Sequence, residues 1–171
     1  MSRSGRAIIW VALLQCFAGV CVGLTQAPLE ALRNAPDTIE IDGVAFQLEA
    51  EVWRDFMPTA FPDEATRLKE SATDPGRPMT ATLRIRAGNS RQIPPGVKVD
   101  VGWVILEDQI WEARALEDLP RDSARRQITV YLRDGPKWPP GARVEIVVRV
   151  VDTAGVAHLL SSRDQRIRAA T

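Results

Sequence analysis

The sequence predicts an all-β domain, an antiparallel two-sheet sandwich of about seven or eight short strands with a short helix in one long connection. Three observations predict it. From Thr38 onward the apolar residues recur with a period of two. Turn-forming residues fall between the alternating stretches at fairly even spacing. No long segment carries the three-and-four spacing of an amphipathic helix.

Each strand is justified by its alternation, which marks a half-buried strand with one face on a core and one in water. A short "TIEI" strand precedes Asp42-Gly43, a dipeptide suited to a tight hairpin turn. In "VAFQLEAEVW", Val44, Phe46, Leu48, Ala50 and Val52 share one face, opposite Gln47, Glu49 and Glu51. In "MTATLRIRA", Met79, Ala81, Leu83 and Ile85 oppose Thr80, Thr82, Arg84 and Arg86. "VKVDVGWVI" places Val97, Val99, Val101, Trp103 and Ile105 together, which predicts Trp103 as core. Ile128, Val130 and Leu132 follow, then Val144, Ile146, Val148 and Val150. Pro94 to Gly96, Glu107-Asp108 and Ala154-Gly155 supply turns between these strands. The outward arginines Arg84 and Arg86, and Arg143 and Arg149, are expected to meet acidic residues on neighbouring strands.

Two segments interrupt the alternation. The stretch 57–78 is a long connection, within which "PDEATRLKES" reads as a short helix opened by Pro62 and acidic residues. "LEDLPRDSARR" is a shorter polar connection around Pro120. The remainder divides into a signal peptide over 1–27, a flexible leader over 28–37 and the sandwich over 38–171.

The corner "KWPPGARVEIVVRVVD" resembles that of fibronectin type III and related immunoglobulin-like domains. Trp138 takes the large apolar position, Pro140 and Gly141 the turn, and Val144 to Val150 the alternating strand. The prolines restrict the backbone, Gly141 permits the reversal, and the indole plugs the sandwich end. Val144 stands where those families usually carry a tyrosine, so the hydroxyl-to-backbone bond of the tyrosine corner is missing. The resemblance implies a fold and no activity.

Arg3 and Arg6, followed by an apolar run from Ala7 to Leu24 and small residues at Thr25 and Ala27, read as a cleaved secretory signal. An uncleaved N-terminal anchor is the rival expectation. Both cysteines, Cys16 and Cys21, lie in this segment, so the mature chain is expected to hold no disulfide and no cysteine metal site. Its loss removes two of 22 basic residues and none of 22 acidic ones, leaving a net charge of about −2. A near-neutral, mixed surface is not the basic stripe that nucleic-acid binding requires.

His158 is the only histidine, which excludes a multi-histidine metal site and a serine–histidine–aspartate triad by count. The carboxylates Glu107 and Asp108, Asp118 and Asp122, and Asp63 and Glu64 fall in expected turns, where solubility explains them. No cofactor, metal or catalytic residue is therefore expected. Partner contact is expected of four residues. Trp53 points outward beside Glu51, and Phe56 and Met57 follow it into the long connection. Trp111 competes with Ile110 for the inner face of its strand. Such aromatics anchor protein interfaces, or stack sugars in a carbohydrate-binding module. The leading expectation is a non-catalytic exported domain that binds a protein in the cell envelope. The alternative is a carbohydrate-binding module using Trp53 and Trp111.

Overall fold

Nine strands account for most of the described residues, 29–57, 76–118 and 126–170, in a computed structural model. They are β1 (Thr38–Ile41), β2 (Val44–Asp55), β3 (Met79–Ala87), β4 (Lys98–Leu106), β5 (Gln109–Arg114), β6 (Leu116–Glu117), β7 (Gln127–Gly135), β8 (Arg143–Val151) and β9 (Ala157–Ala170). One short helix, α1 (Leu29–Arg33), precedes them. The helix expected within 57–78 and the turn carboxylates Asp63, Glu64 and Asp122 lie outside the described residues.

Hydrogen bonding runs in one path, β5-β4-β8-β9-β2-β3-β7-β6, with β1 attached to β2. Only Ala115 separates β5 at one end of the path from β6 at the other. The Ala115 amide donates to the Asp100 carbonyl at 2.9 Å, so the chain steps from one side of the fold to the other and nearly closes a flattened barrel. Every ladder is antiparallel except β2 with β9, which run parallel through Val52↔Ile167 to Asp55↔Ala170. The fold is thus a mixed, nearly closed sheet rather than the purely antiparallel two-sheet sandwich that alternation predicts. The cause lies in β9. Its register on β8 shifts between Gln165 and Ser162, with Asp164 at φ 57°, and the strand then leaves β8 for β2. Alternation reports which face a residue takes, and carries no information on which neighbour a bent strand will choose.

The interior holds the predicted inward residues of β2, β3, β7 and β8, among them Phe46, Leu83, Ile85, Leu132, Ile146 and Val148, all fully buried. The β1–β2 hairpin closes at Ile41↔Val44, with Asp42 and Gly43 both at positive φ as a two-residue turn of this hand demands. Gly141, at φ +86°, makes the reversal expected of it ahead of β8.

Two expectations change. First, β4 shifts register between Val99 and Val101, so Val97, Val99 and Val104 line the interior while Trp103 and Ile105 turn to the other face. Trp103 is buried, but in a second cluster with Ile105, Val147, Leu32 and Ala35. Second, that cluster exists because the stretch expected to be a flexible leader is docked. Leu32 is fully buried, and Ser161 and Arg163 on β9 donate to the backbone carbonyls of Ala35, Pro36 and Arg33. Arg33 in turn reaches Asp108 and the Glu107 carbonyl in the β4–β5 turn. Apolar burial and six side-chain bonds together order a segment whose polar sequence alone gives no such signal.

Candidate functional site

The end of β2 gathers three of the four residues expected to contact a partner. Burial alternates along the strand, with Val52 and Arg54 inside and Trp53 and Asp55 outside. Trp53 therefore stands outward, as alternation predicts, and half-buried, between Thr80 on β3 and Arg168 on β9. Met57, at 54% exposure, is among the most exposed large apolar residues described. Phe56 is held. The Arg54 guanidinium lies 4.8 Å from its ring centre, and a Cβ on Gly76 would meet the same ring at 2.7 Å.

Trp111 departs from its companions. Its indole turns inward and lies against Gly135, where an added Cβ would meet the ring at 2.8 Å. Ile110 takes the outer face and joins the cluster under α1. The inner position has room for the larger ring because Gly135 offers no side chain, and the sequence does not show that strand β7 brings a glycine there. Trp138 also packs on the core and donates its indole N–H to Gln109 at 3.0 Å, in keeping with its expected place as a plug.

Arg54 is the residue that sequence reading missed. It is 3% exposed, and donates to the carbonyls of Lys137 (3.1 Å), Trp138 (3.3 Å) and Arg77 (3.4 Å). It thereby ties the Trp138 corner to the entry of β3. The signal was present, since position 54 continues the inward phase of Leu48, Ala50 and Val52. A charge in that phase is buried only where backbone acceptors satisfy it.

Four of the described carboxylates, Asp100, Glu112, Asp118 and Asp152, hold local structure. Asp100 pairs with Arg149 through two bonds of 2.9 Å, which lowers the Asp100 pKa and raises that of Arg149. Asp152 meets His158 at 3.0 Å and also accepts from the amides of Ala154 and Val156, and the His158 contact is the main cause holding its carboxyl below the usual range. Asp118 accepts from the Tyr131 hydroxyl at 3.2 Å, which pushes the phenol pKa up. Glu112 accepts from the Trp103 indole at 2.8 Å. Among the described residues no group of three or more histidine, cysteine or acidic side chains could hold a metal ion. None of the described helices is long and apolar enough to cross a membrane.

No protein-family model matches this chain, and no curated protein or solved structure is detectably similar to it.

Proposed function

We propose that this protein is a non-catalytic exported domain that binds a protein partner in the cell envelope or outside the cell, on a scaffold of immunoglobulin or fibronectin type III kind. The observation that carries the reading is the half-open aromatic end of β2, where Trp53 faces outward and Met57, four residues further on, is exposed. A rigid strand that delivers an indole and a thioether to the surface is the anchor chemistry of protein interfaces. The engagement of Asp100, Asp118 and Asp152 in strand and turn bonds favours a structural over an acid–base role for them. The inward turn of Trp111 removes the second indole that a sugar-stacking platform would need, so the carbohydrate reading is the weaker one.

Two neighbourhoods support the scaffold assignment. The path divides naturally into β2, β3, β7 and β6 on one side and β5, β4, β8 and β9 on the other, the chain crossing over at Ala115. The parallel contact of β2 with β9 then joins the two halves along one side. Export rests on the arginine-led apolar segment 1–27, and a cut there leaves α1, which starts at Leu29, whole.

A photo-crosslinking residue at position 57, placed in the protein in its own cells, tests the reading. The expected result is a discrete protein adduct that is lost on Trp53→Ala. Adducts absent from position 57, with Trp53 as shielded from acrylamide as Trp111, would overturn it.

A further inference from the structure

Four strands carry the surface around Trp53, and their registers fix which side chains stand in line across it. Trp53 on β2 is opposite Arg168 on β9 to one side and Thr80 on β3 to the other. The β3–β7 ladder pairs Met79 with Gly135 and Ala81 with Leu132, so Arg133 and Asp134 share the place opposite Thr80 as a bulge. Leu132 and Ile167 are buried inside, which turns their neighbours Arg133 and Arg168 outward, and both arginines are exposed. Arg133 also lies 5.9 Å from the ring centre of Tyr131, on the same face of β7. One row across the outer face therefore reads Arg168, Trp53, Thr80, Arg133. At about 4.8 Å per strand, the two arginine positions stand roughly 14 Å apart.

The charges of this face are unevenly used. Glu51 is met by Arg84 at 3.4 Å, Glu49 by Arg86 at 3.0 Å and Asp55 by Arg77 at 3.4 Å. Asp118 accepts from the Tyr131 hydroxyl. Arg168 and Arg133 form no ion pair with a carboxylate among the described residues. Asp134, next to Arg133 in the chain, is exposed and offsets part of this surplus. Thr80 is the shortest side chain of the row, which leaves a step beside the indole where an apolar group can settle.

We infer that the Trp53 face takes an acidic segment of its protein partner, laid across the strands, with one carboxylate on Arg168, another on Arg133 and an apolar side chain between them against the indole. The spacing suits an extended chain, in which alternate side chains share a face and residues i and i+4 stand about 13 Å apart. A guanidinium holds a carboxylate through two parallel bonds, and arginine pairs are at their strongest beside an apolar surface that excludes water. Two separated cations with an indole between them, set among carboxylates already paired, do not suit an evenly charged polyanion, which needs a continuous basic stripe. The inference rests on the reading of this face as protein-binding, and supplies the chemistry of the partner.

The test titrates the whole ¹⁵N-labelled protein with a capped glutamate–serine–leucine–serine–glutamate peptide and follows the indole N–H resonance of Trp53. That resonance is expected to shift with peptide concentration. A peptide with lysine in place of glutamate should not bind, and one with serine in place of leucine should bind more weakly. Arg133→Glu with Arg168→Glu should weaken binding about tenfold, since each reversal replaces an attraction with a repulsion. Arg133→Gln with Arg168→Gln, which removes the charges without reversing them, should give a smaller loss in the same direction. Lys98→Glu, an exposed position on β4 in the other half of the barrel, should leave binding unchanged. No shift at Trp53, equal binding of the lysine peptide, or unchanged affinity in both double variants would overturn the inference. Tighter binding of heparin, a uniformly charged polyanion, at the same resonance would overturn it too. A position-57 adduct that survives in Arg133→Glu with Arg168→Glu would leave the binding-module reading standing without an acidic partner.

Discussion

The outer faces of the two halves of the barrel are built from strands of the same alternating pattern, yet they end up in opposite environments. Across β2, β3 and β7 the outer face carries Glu49 with Arg86 and Glu51 with Arg84, pairs that stay largely in water. Across β4, β5, β8 and β9 it carries Trp103, Ile105, Ile110, Val147 and Leu159, closed over by Leu29, Leu32 and Ala35 of the N-terminal segment. The difference teaches that period two defines an inner face but does not make the other face wet. Wherever a second apolar residue falls out of phase, some element must cover it or the sheet would expose a patch prone to association.

The sharpest way to test that contrast is to place a charge on each side of one strand. Val148 points into the barrel and Val147 into the cluster under α1, both fully buried. Val148→Asp is expected to abolish cooperative unfolding altogether, because an unpaired buried charge costs several kcal/mol against a total stability of about 5–15 kcal/mol. Val147→Asp should instead undock the N-terminal segment and leave the barrel folded, seen as retained far-ultraviolet circular dichroism with a red-shifted Trp103 emission. If both unfold alike, the two clusters are one cooperative core. Next in size is Leu32→Ala, for which a loss of about 2–4 kcal/mol is expected from urea midpoints, within the range for a buried leucine. A loss below about 0.5 kcal/mol would make α1 an appendage rather than a cover.

Legibility in the sequence follows the same divide. The inward residues of β2, β3, β7 and β8 were readable because each strand keeps its phase from end to end, as did the hairpin at Asp42-Gly43 and the pairing of Arg84 and Arg86 with glutamates. The burial of Trp103 was readable but the face it takes was not, because the register shift between Val99 and Val101 changes the phase within an unbroken alternating run. The docked leader was hidden for a different reason. "LEALRNAP" is too short for a periodic signal, and its partner, Val147, looks like one more valine in a valine-rich strand. Trp53 was placed correctly outward by alternation alone. Trp111 was not placed, since the space that draws it inward is made by Gly135, a residue distant in sequence.

That space gives the third prediction. Gly135→Ala would put a methyl group 2.8 Å from a rigid indole, whereas at Gly102 the nearest atoms, at 2.7 Å, belong to the mobile end of Leu132. A rotamer change relieves the second clash and not the first. Gly135→Ala should therefore cost about 1–3 kcal/mol, in the range for overpacking, and Gly102→Ala distinctly less. Equal losses would mean that Trp111 moves as freely as a leucine, and a Trp111 emission shifted to the red in Gly135→Ala would show that it had been pushed to the outer face.

The smallest effect separates the ion pairs of the two faces by pH. Asp100 and Arg149 form a bidentate pair on the covered side, where the hydrogen bond from Arg149 lowers the Asp100 pKa from its usual 3.8. A carboxyl whose pKa falls on folding adds stability that is fully present above its unfolded value and is lost as pH drops through the folded one. The pair is more than one-third exposed, so solvent screening limits its worth to about 0.5 kcal/mol. Asp100→Asn is accordingly expected to lower stability slightly at pH 7 and to flatten its decline below about pH 4. Glu49→Gln should lower stability at pH 7 by less than Asp100→Asn, because both side chains of the Glu49–Arg86 contact are more than half exposed and solvent screens it. Added salt offers the complementary reading, since it should erode the Glu49 contribution first and the two-bonded Asp100 pair last. A pH profile of Asp100→Asn that runs parallel to that of the unaltered protein would show that the Arg149 fork has no part in holding the covered face.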